Sequence, residues 1–268
     1  MSNHNKLAVV TGAANGIGAG LSREASRRGF RVLMADFDEA ALTKTAAEIQ
    51  DAEILVTDVS NPNEVDSLAD FADSLGGTDL LFNNAGVMST GFSWEIPVAT
   101  WERDISVNIG GIINAARSFI PRMIARSTPS RIVNTSSVGG FFPSPQMASY
   151  SATKFAVVAI TEAMMSELQM LDAPVTVSLL APGPVKSELF RGPFAGDTHP
   201  ATRGVVDYLV KLSAEHGMEP DEFAGLVFDA IERDEYWIIP QPERLDARLQ
   251  KRFEMIRDRH KPRKAKVP

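Results

Sequence analysis

Seven short apolar runs punctuate the chain, at Leu7–Thr11, Val32–Asp36, Ile54–Thr57, Leu80–Asn83, Arg131–Thr135, Val175–Ala181 and Trp237–Ile239. Between most of them lie longer segments with helical spacing, near Gly18–Arg28, Glu39–Ile49, Asn63–Ser74, Thr100–Ala125, Ala152–Leu171 and Asp221–Glu232. Runs of strand length joined by connections of helix length do not pair as hairpins. They cross over, which sets successive strands parallel and puts helices on both faces of the sheet. The expected fold is therefore α/β, a doubly wound, seven-stranded parallel sheet. At 268 residues one domain, 1–268, accounts for the chain. Two segments depart from the rhythm. Gly183–Pro200 is rich in Gly and Pro and reads as part of a substrate lid over about 183–216. The end of the chain, about 241–268, reads as a helical tail: Arg244–Lys266 is basic, with Leu245, Leu249, Phe253 and Ile256 as an apolar stripe.

Charge and composition narrow the classes of function. With 27 basic against 34 acidic side chains the net charge is −7, the wrong sign for a nucleic-acid or anionic-membrane surface, so small-molecule chemistry is expected. The chain has 0 Cys, and His4, His199, His216 and His260 are scattered, so no structural metal is expected. No apolar run reaches the ~18 residues of a membrane span, and the N-terminus shows no signal-peptide pattern. These readings give a cytoplasmic protein with no nucleic-acid and no membrane partner.

The first strand ends in Val9-Val10-Thr11-Gly12-Ala13-Ala14-Asn15-Gly16-Ile17-Gly18. Glycines at this strand-to-helix turn let backbone approach a pyrophosphate, and the helix N-terminus behind them favours its charge. Glycines also close turns for packing alone, so the turn by itself leaves that alternative open. Asp36, at the end of the second strand, stands where an acid accepts hydrogen bonds from ribose hydroxyls and repels a 2′-phosphate. Asn15 and Phe37 hold positions suited to a phosphate-binding arginine and are not basic. Together they favour NAD over NADP, the alternative for Asp36 being a solvated acid at a strand end.

Tyr150 and Lys154 are four residues apart on an expected helix, so their side chains share one face. A phenol with pKa near 10 is a poor base at neutral pH, but a neighbouring ammonium and an oxidised nicotinamide both favour the phenolate, and its pKa is expected to fall. Tyr150 is then a general base for alcohol oxidation and a general acid for carbonyl reduction. Ser137 lies at the carboxyl edge of the sheet, with Ser136 as competitor for the same role, and Asn108 is a mid-helix polar residue that a simple cap or back-bond also explains.

Gly12-x-x-x-Gly16-x-Gly18, Asp58-Val59, Asn83-Asn84-Ala85-Gly86, Asn108, Ser137, Tyr150-x-x-x-Lys154 and Pro182-Gly183-Pro184-Val185 follow one another in an order and spacing that resembles the short-chain dehydrogenase/reductase family. The resemblance implies a Rossmann-type subunit, a homodimer or homotetramer, moving a hydride between a nicotinamide and an alcohol or carbonyl carbon. It implies that Ser137 bonds the reacting oxygen and that Asn108 bends its helix and holds a water in a relay to Lys154. By the same resemblance Asp58 meets the adenine amino group with Val59 beside it, and Asn84, Ala85 and Gly86 pass beneath the adenosine ribose. The Val185 backbone addresses the carboxamide, and Ser187 stands where the family often has Thr near the pyrophosphate. Asn15, Ile17, Phe37, Pro182 and Gly183, with Tyr150 and Lys154, complete the expected cofactor contacts.

Phe141, Phe142 and Met147, with Leu189, Phe190 and Phe194 and with Met88, Phe92 and Trp94, make an apolar pocket if their loops converge, suited to a bulky or aromatic secondary alcohol or ketone. Only Lys186 and Arg191 are basic in these loops, which argues against carboxylate or phosphate substrates. The tail resembles that of relatives acting on large hydrophobic or aryl alcohols, including lignin-derived benzylic alcohols. It could cover the pocket, dock on a partner subunit or complete the core, its basic face being simply solvated. Two rival readings remain: a catalytically silent dinucleotide-binding regulator, and an epimerase or dehydratase, for which the chain has little room.

Overall fold

The computed structural model of the chain describes residues 6–187, 189 and 200–262. Seven parallel strands form one sheet in the order β3-β2-β1-β4-β5-β6-β7: β1 Leu7–Thr11, β2 Arg31–Asp36, β3 Glu53–Val56, β4 Leu80–Asn83, β5 Ser130–Thr135, β6 Val175–Leu180 and β7 Trp237–Ile238. Between them run α1 Gly16–Arg27, α2 Glu39–Ala46, α3 Pro62–Ser74, α4 Val98–Ile105, α5 Gly111–Arg126, α6 Ala148–Met170, α7 Pro200–His216 and α8 Pro220–Glu232, and α9 Asp246–Arg257 follows β7. The seven expected strands and six expected helices are present with shifted ends, except that Thr100–Ala125 is two α-helices separated by a π-helical turn, Ser106–Gly110.

Period-two alternation along β1 splits the core in two. Ala8 and Val10 join Val32, Met34, Phe82 and Val133 beneath α1 and α8, whereas Leu7 and Val9 join Leu33, Leu81 and Ile132 beneath α3, α5 and α6. The strands are apolar on both faces because both faces are covered. Strand order reverses between β1 and β4, and in an open α/β sheet the crevice at such a switch point receives ligands at the carboxyl ends of the strands. The loops after β1, β2, β4, β5 and β6 all reach that edge.

Candidate active site

A cleft of about 1200 Å³ runs along this edge. At one end it is lined by Gly12, Asn15, Ile17, Asp36, Phe37, Asp58 and Val59, and at the other by Ser137, Tyr150, Lys154, Pro182, Gly183 and Val185, with Asn84, Ala85, Gly86 and Ser187 also on its wall.

The glycine turn is built to be bare. Gly12 (φ +66°) and Gly16 (φ +52°) occupy the left-handed region, and a Cβ on Gly12 would lie 2.7 Å from the Ala85 Cα. Asn84 fastens the β4 loop to this turn, its Nδ2 donating to the carbonyls of Thr11 (3.1 Å) and Gly12 (3.2 Å). Asn15 begins α1 in extended backbone without a side-chain cap, so the first-turn N–H groups are left to an anion. Asp36 is buried, accepts from the Ala14 N–H at 3.0 Å, and receives the Asp38 N–H on its other oxygen. Across the cleft, Ser187 packs on the turn: a Cβ on Gly16 would meet its Cβ at 2.5 Å. This cradle of glycines, uncapped helix N-terminus and carboxylate fits a dinucleotide.

At the other end Tyr150 is buried on the first turns of α6, against Met88, Val205 and Leu209. The Ser137 hydroxyl is near enough to the phenol to lower its pKa through hydrogen bonding, and also accepts from the Gly139 N–H at 3.0 Å. The hydroxyl of Ser136 donates instead to the Lys154 carbonyl (2.9 Å) and is spent on anchoring α6, so the serine that faces the phenol is Ser137. Lys154 Nζ donates to the Thr135 carbonyl at 2.9 Å and lies 5.7 Å from the Tyr150 ring centroid.

The electrostatics correct one expectation. In the protein alone burial pushes the Tyr150 phenol up from its ordinary value, opposed by the Ser137 hydrogen bond, and burial brings Lys154 down to about 8. Desolvation leads for both groups, and the ammonium sits over the Tyr150 ring rather than on its oxygen. The buried cation costs stability. Lys154 loses its proton near pH 8 when folded and near 10.5 when unfolded, so the cost is full below about pH 8 and fades as pH rises toward 10.5. About 3 kcal/mol of desolvation, less about 1 kcal/mol for the hydrogen bond to Thr135, leaves Lys154→Met roughly 2 kcal/mol more stable than wild type at pH 7. Urea unfolding at pH 7 and pH 10.5 checks this; a gap that does not close with pH contradicts it.

Asn108 lies within the π-helical turn. Its Oδ1 accepts from the Val87 N–H (2.8 Å), and its Nδ2 donates to the Val87 carbonyl (2.9 Å) and to Thr153 Oγ1 (2.9 Å). The side chain thus clamps the β4 loop to α6 beside Lys154. Sequence reasoning missed a second clamp. Asp104, fully buried, accepts from the hydroxyls of Ser89 and Ser149, tying that loop to the residue before Tyr150.

The expected substrate pocket assembles in part. Met88, Phe142, Met147 and Leu189 line the cleft. Phe141 turns the other way and packs on Trp237, 5.9 Å between centroids, while Phe92 and Trp94 stack on each other at 5.1 Å away from the cleft lining. Phe190, Phe194 and Arg191 lie outside the described residues. The wall is completed by residues not anticipated as pocket: Val205, Tyr208, Leu209 and Leu212 on α7, whose i, i+4, i+7 spacing was the available signal, and Arg244 and Arg248 from the tail. The tail's apolar stripe is not what docks. Leu245 is buried, but Phe253 and Ile256 stay exposed, and α9 instead lays Arg248 over the Phe142 ring and Arg252 over Phe155.

A family model for short chain dehydrogenases matches residues 6–196, so the chain belongs to the short-chain dehydrogenase/reductase family, a family of oxidoreductases. It is 33% identical to the "CLA biosynthesis dehydrogenase/reductase" of Lactiplantibacillus plantarum, covering 89% of each chain. It is also 33% identical to the 1-deoxy-11-beta-hydroxypentalenate dehydrogenase of Streptomyces exfoliatus, over 94% of this chain and 88% of that one. Among solved structures, a short chain dehydrogenase/reductase from Burkholderia phymatum in complex with NAD superposes with a TM-score of 0.92 at 31% identity, over 99% of both chains.

Proposed function

We propose that the protein is an NAD-dependent oxidoreductase that moves a hydride between the nicotinamide and a hydrophobic, bulky or aromatic secondary alcohol or ketone, with Tyr150 as general acid/base. The observation that carries this reading is the meeting of Ser137, Tyr150 and Lys154 in the same cleft as the glycine turn. When bound, the oxidised nicotinamide accepts the hydride and adds positive charge beside the phenol. In alcohol oxidation Tyr150 takes the hydroxyl proton while Ser137 holds the reacting oxygen by a hydrogen bond. Lys154, whose pKa burial lowers to about 8, relays the proton away past Asn108 and favours the phenolate while charged. In the reverse direction the same groups deliver the proton to the carbonyl oxygen.

Selection of NAD rests on Asp36, whose buried carboxylate already takes two backbone N–H donors at the cleft wall and leaves a 2′-phosphate with a negative neighbour. The apolar side chains of Met88, Phe142, Met147 and the α7 face support a hydrophobic substrate, as do the name of the Streptomyces relative and, for the cofactor, the NAD in the Burkholderia structure. Initial rates of 1-phenylethanol oxidation with each cofactor test the reading. kcat/KM with NAD is expected to exceed that with NADP by at least about 10-fold, the equivalent of 1.4 kcal/mol of repulsion. Equal or better use of NADP contradicts the role of Asp36.

A further inference from the structure

Three arginines line the cleft: Arg103, Arg244 and Arg248. Arg103 donates to the buried Asp104 and to Ser89, and Arg244 has Glu243 at 3.9 Å. Arg248 alone of the three has no carboxylate partner among the described residues. The central carbon of its guanidinium lies over the Phe142 ring, 3.7 Å from the centroid, the separation of stacked planes, and both residues belong to the cleft wall. A guanidinium stacked by its face keeps its N–H edge free in the plane, the geometry that takes a carboxylate through two parallel hydrogen bonds. Burial lowers the Arg248 pKa, opposed by the nearby Tyr208, so part of its hydration is already lost, and an anion brought alongside meets a charge that water screens less than usual. The next arginine on the same helix face supplies a contrast. Arg252 stacks on Phe155 at 5.1 Å and does not line the cleft, so it can pin α9 without meeting a ligand.

We infer that Arg248 is a substrate anchor, and that the substrate is an amphipathic acid: an apolar body carrying the reacting alcohol or ketone, and a carboxylate held by Arg248 over Phe142. One unpaired cation matches a monoanion better than a phosphate, since the other two guanidiniums already have acidic neighbours. The apolar reach between the two ends is supplied by Met88, Met147, Val205, Leu209 and Leu212. Among the described residues of the inner loops Lys186 is paired with Glu219; the charge arrives instead from the tail.

The identity of the substrate as an alcohol or ketone rests on the proposed function, so binding and turnover are read separately. The protein loaded with NADH is titrated calorimetrically with para-acetylbenzoate and its neutral amide, and with the longer para-acetylphenylbutanoate and its amide. In at least one pair the acid is expected to bind about 10-fold or more tightly than the amide. Arg248→Met brings that ratio close to one, Arg248→Lys gives an intermediate ratio, and Arg252→Met, which removes only the second stacking contact of α9, preserves it. Equal binding of acid and amide in both pairs, no binding by either acid, or equal loss of the ratio in Arg252→Met overturns the anchor. Acid-selective binding that depends on Arg248, without NADH oxidation, keeps the anchor and removes the proposed reaction. NADH oxidation with no acid preference does the reverse.

Discussion

Tyr150→Phe is expected to lower kcat for alcohol oxidation by about 10³-fold, within the range for loss of a positioned general base, while the dissociation constant of NAD changes less than about 2-fold. The two effects separate because the ring and the oxygen do different things. The ring is packed against Met88, Val205 and Leu209, and phenylalanine keeps that packing. The oxygen shares a hydrogen bond with Ser137, and the polar neighbours among the described residues are engaged elsewhere: Ser136 is bonded to the Lys154 carbonyl, and the Lys154 ammonium to that of Thr135. Pre-steady-state reduction of NAD by 1-phenylethanol, beside equilibrium titration of NAD, measures both quantities. Turnover within about 10-fold of wild type would mean that the proton leaves by another route.

Gly18→Ala is the second large effect. A Cβ at position 18 falls 2.0 Å from the Gly12 carbonyl oxygen and 2.7 Å from Asn84 Nδ2, and Gly12 and Asn84 both line the cleft. Neither can yield cheaply, since one is backbone and the other holds the carbonyls of Thr11 and Gly12. Overpacking of this kind costs about 1–3 kcal/mol, and opening the turn spoils the cradle, so NAD affinity is expected to fall by about 10- to 100-fold. Thermal melting shows it directly: saturating NAD raises Tm in wild type and raises it much less in the variant. Gly225→Ala is the control. A Cβ there meets nothing within 4 Å inside α8, and the change should add about 0.5–1 kcal/mol and leave the NAD response intact. A full NAD response in Gly18→Ala contradicts the cradle.

Much of the fold is legible in the sequence because its determinants are local. Period-two burial in β1, the left-handed turn at Gly12 and Gly16, and the i, i+4 pairing of Tyr150 with Lys154 are set within a few residues. The illegible parts depend on distant neighbours. The helical pattern through Thr100–Ala125 gives no sign of the π turn at Ser106–Gly110, which Asn108 secures by bonding Val87 and Thr153 from another loop and another helix. Phe141 and Phe142 are adjacent and equally apolar, yet the 3-10 turn at Val138–Gly140 sends one toward Trp237 and the other into the cleft. The tail carries its information on the face that a hydrophobic count overlooks. Its leucine and phenylalanine stripe suggests one docking surface, but Phe142 and Phe155 sit where Arg248 and Arg252 can stack, and these rings turn the helix.

The Tyr150 phenol likewise depends on distant neighbours. A sequence shows that a cation is four residues away but not that both groups are buried, and burial reverses the direction of the shift in the protein alone. In the proposed mechanism, lowering the phenol into the working range falls to the charge of the oxidised cofactor, which would couple proton removal to cofactor occupancy.

Hydride transfer at this cleft is followed through the hydrogen itself. Wild type and Tyr150→Phe are incubated with NAD and 1-phenylethanol deuterated at its carbinol carbon, and the nicotinamide product is analysed by mass spectrometry. One deuterium is expected in the reduced cofactor for each acetophenone formed by wild type, and almost none from the variant in the same time. NAD that binds but stays oxidised, for this alcohol and for larger hydrophobic secondary alcohols, would contradict it and leave a dinucleotide-binding protein without the chemistry.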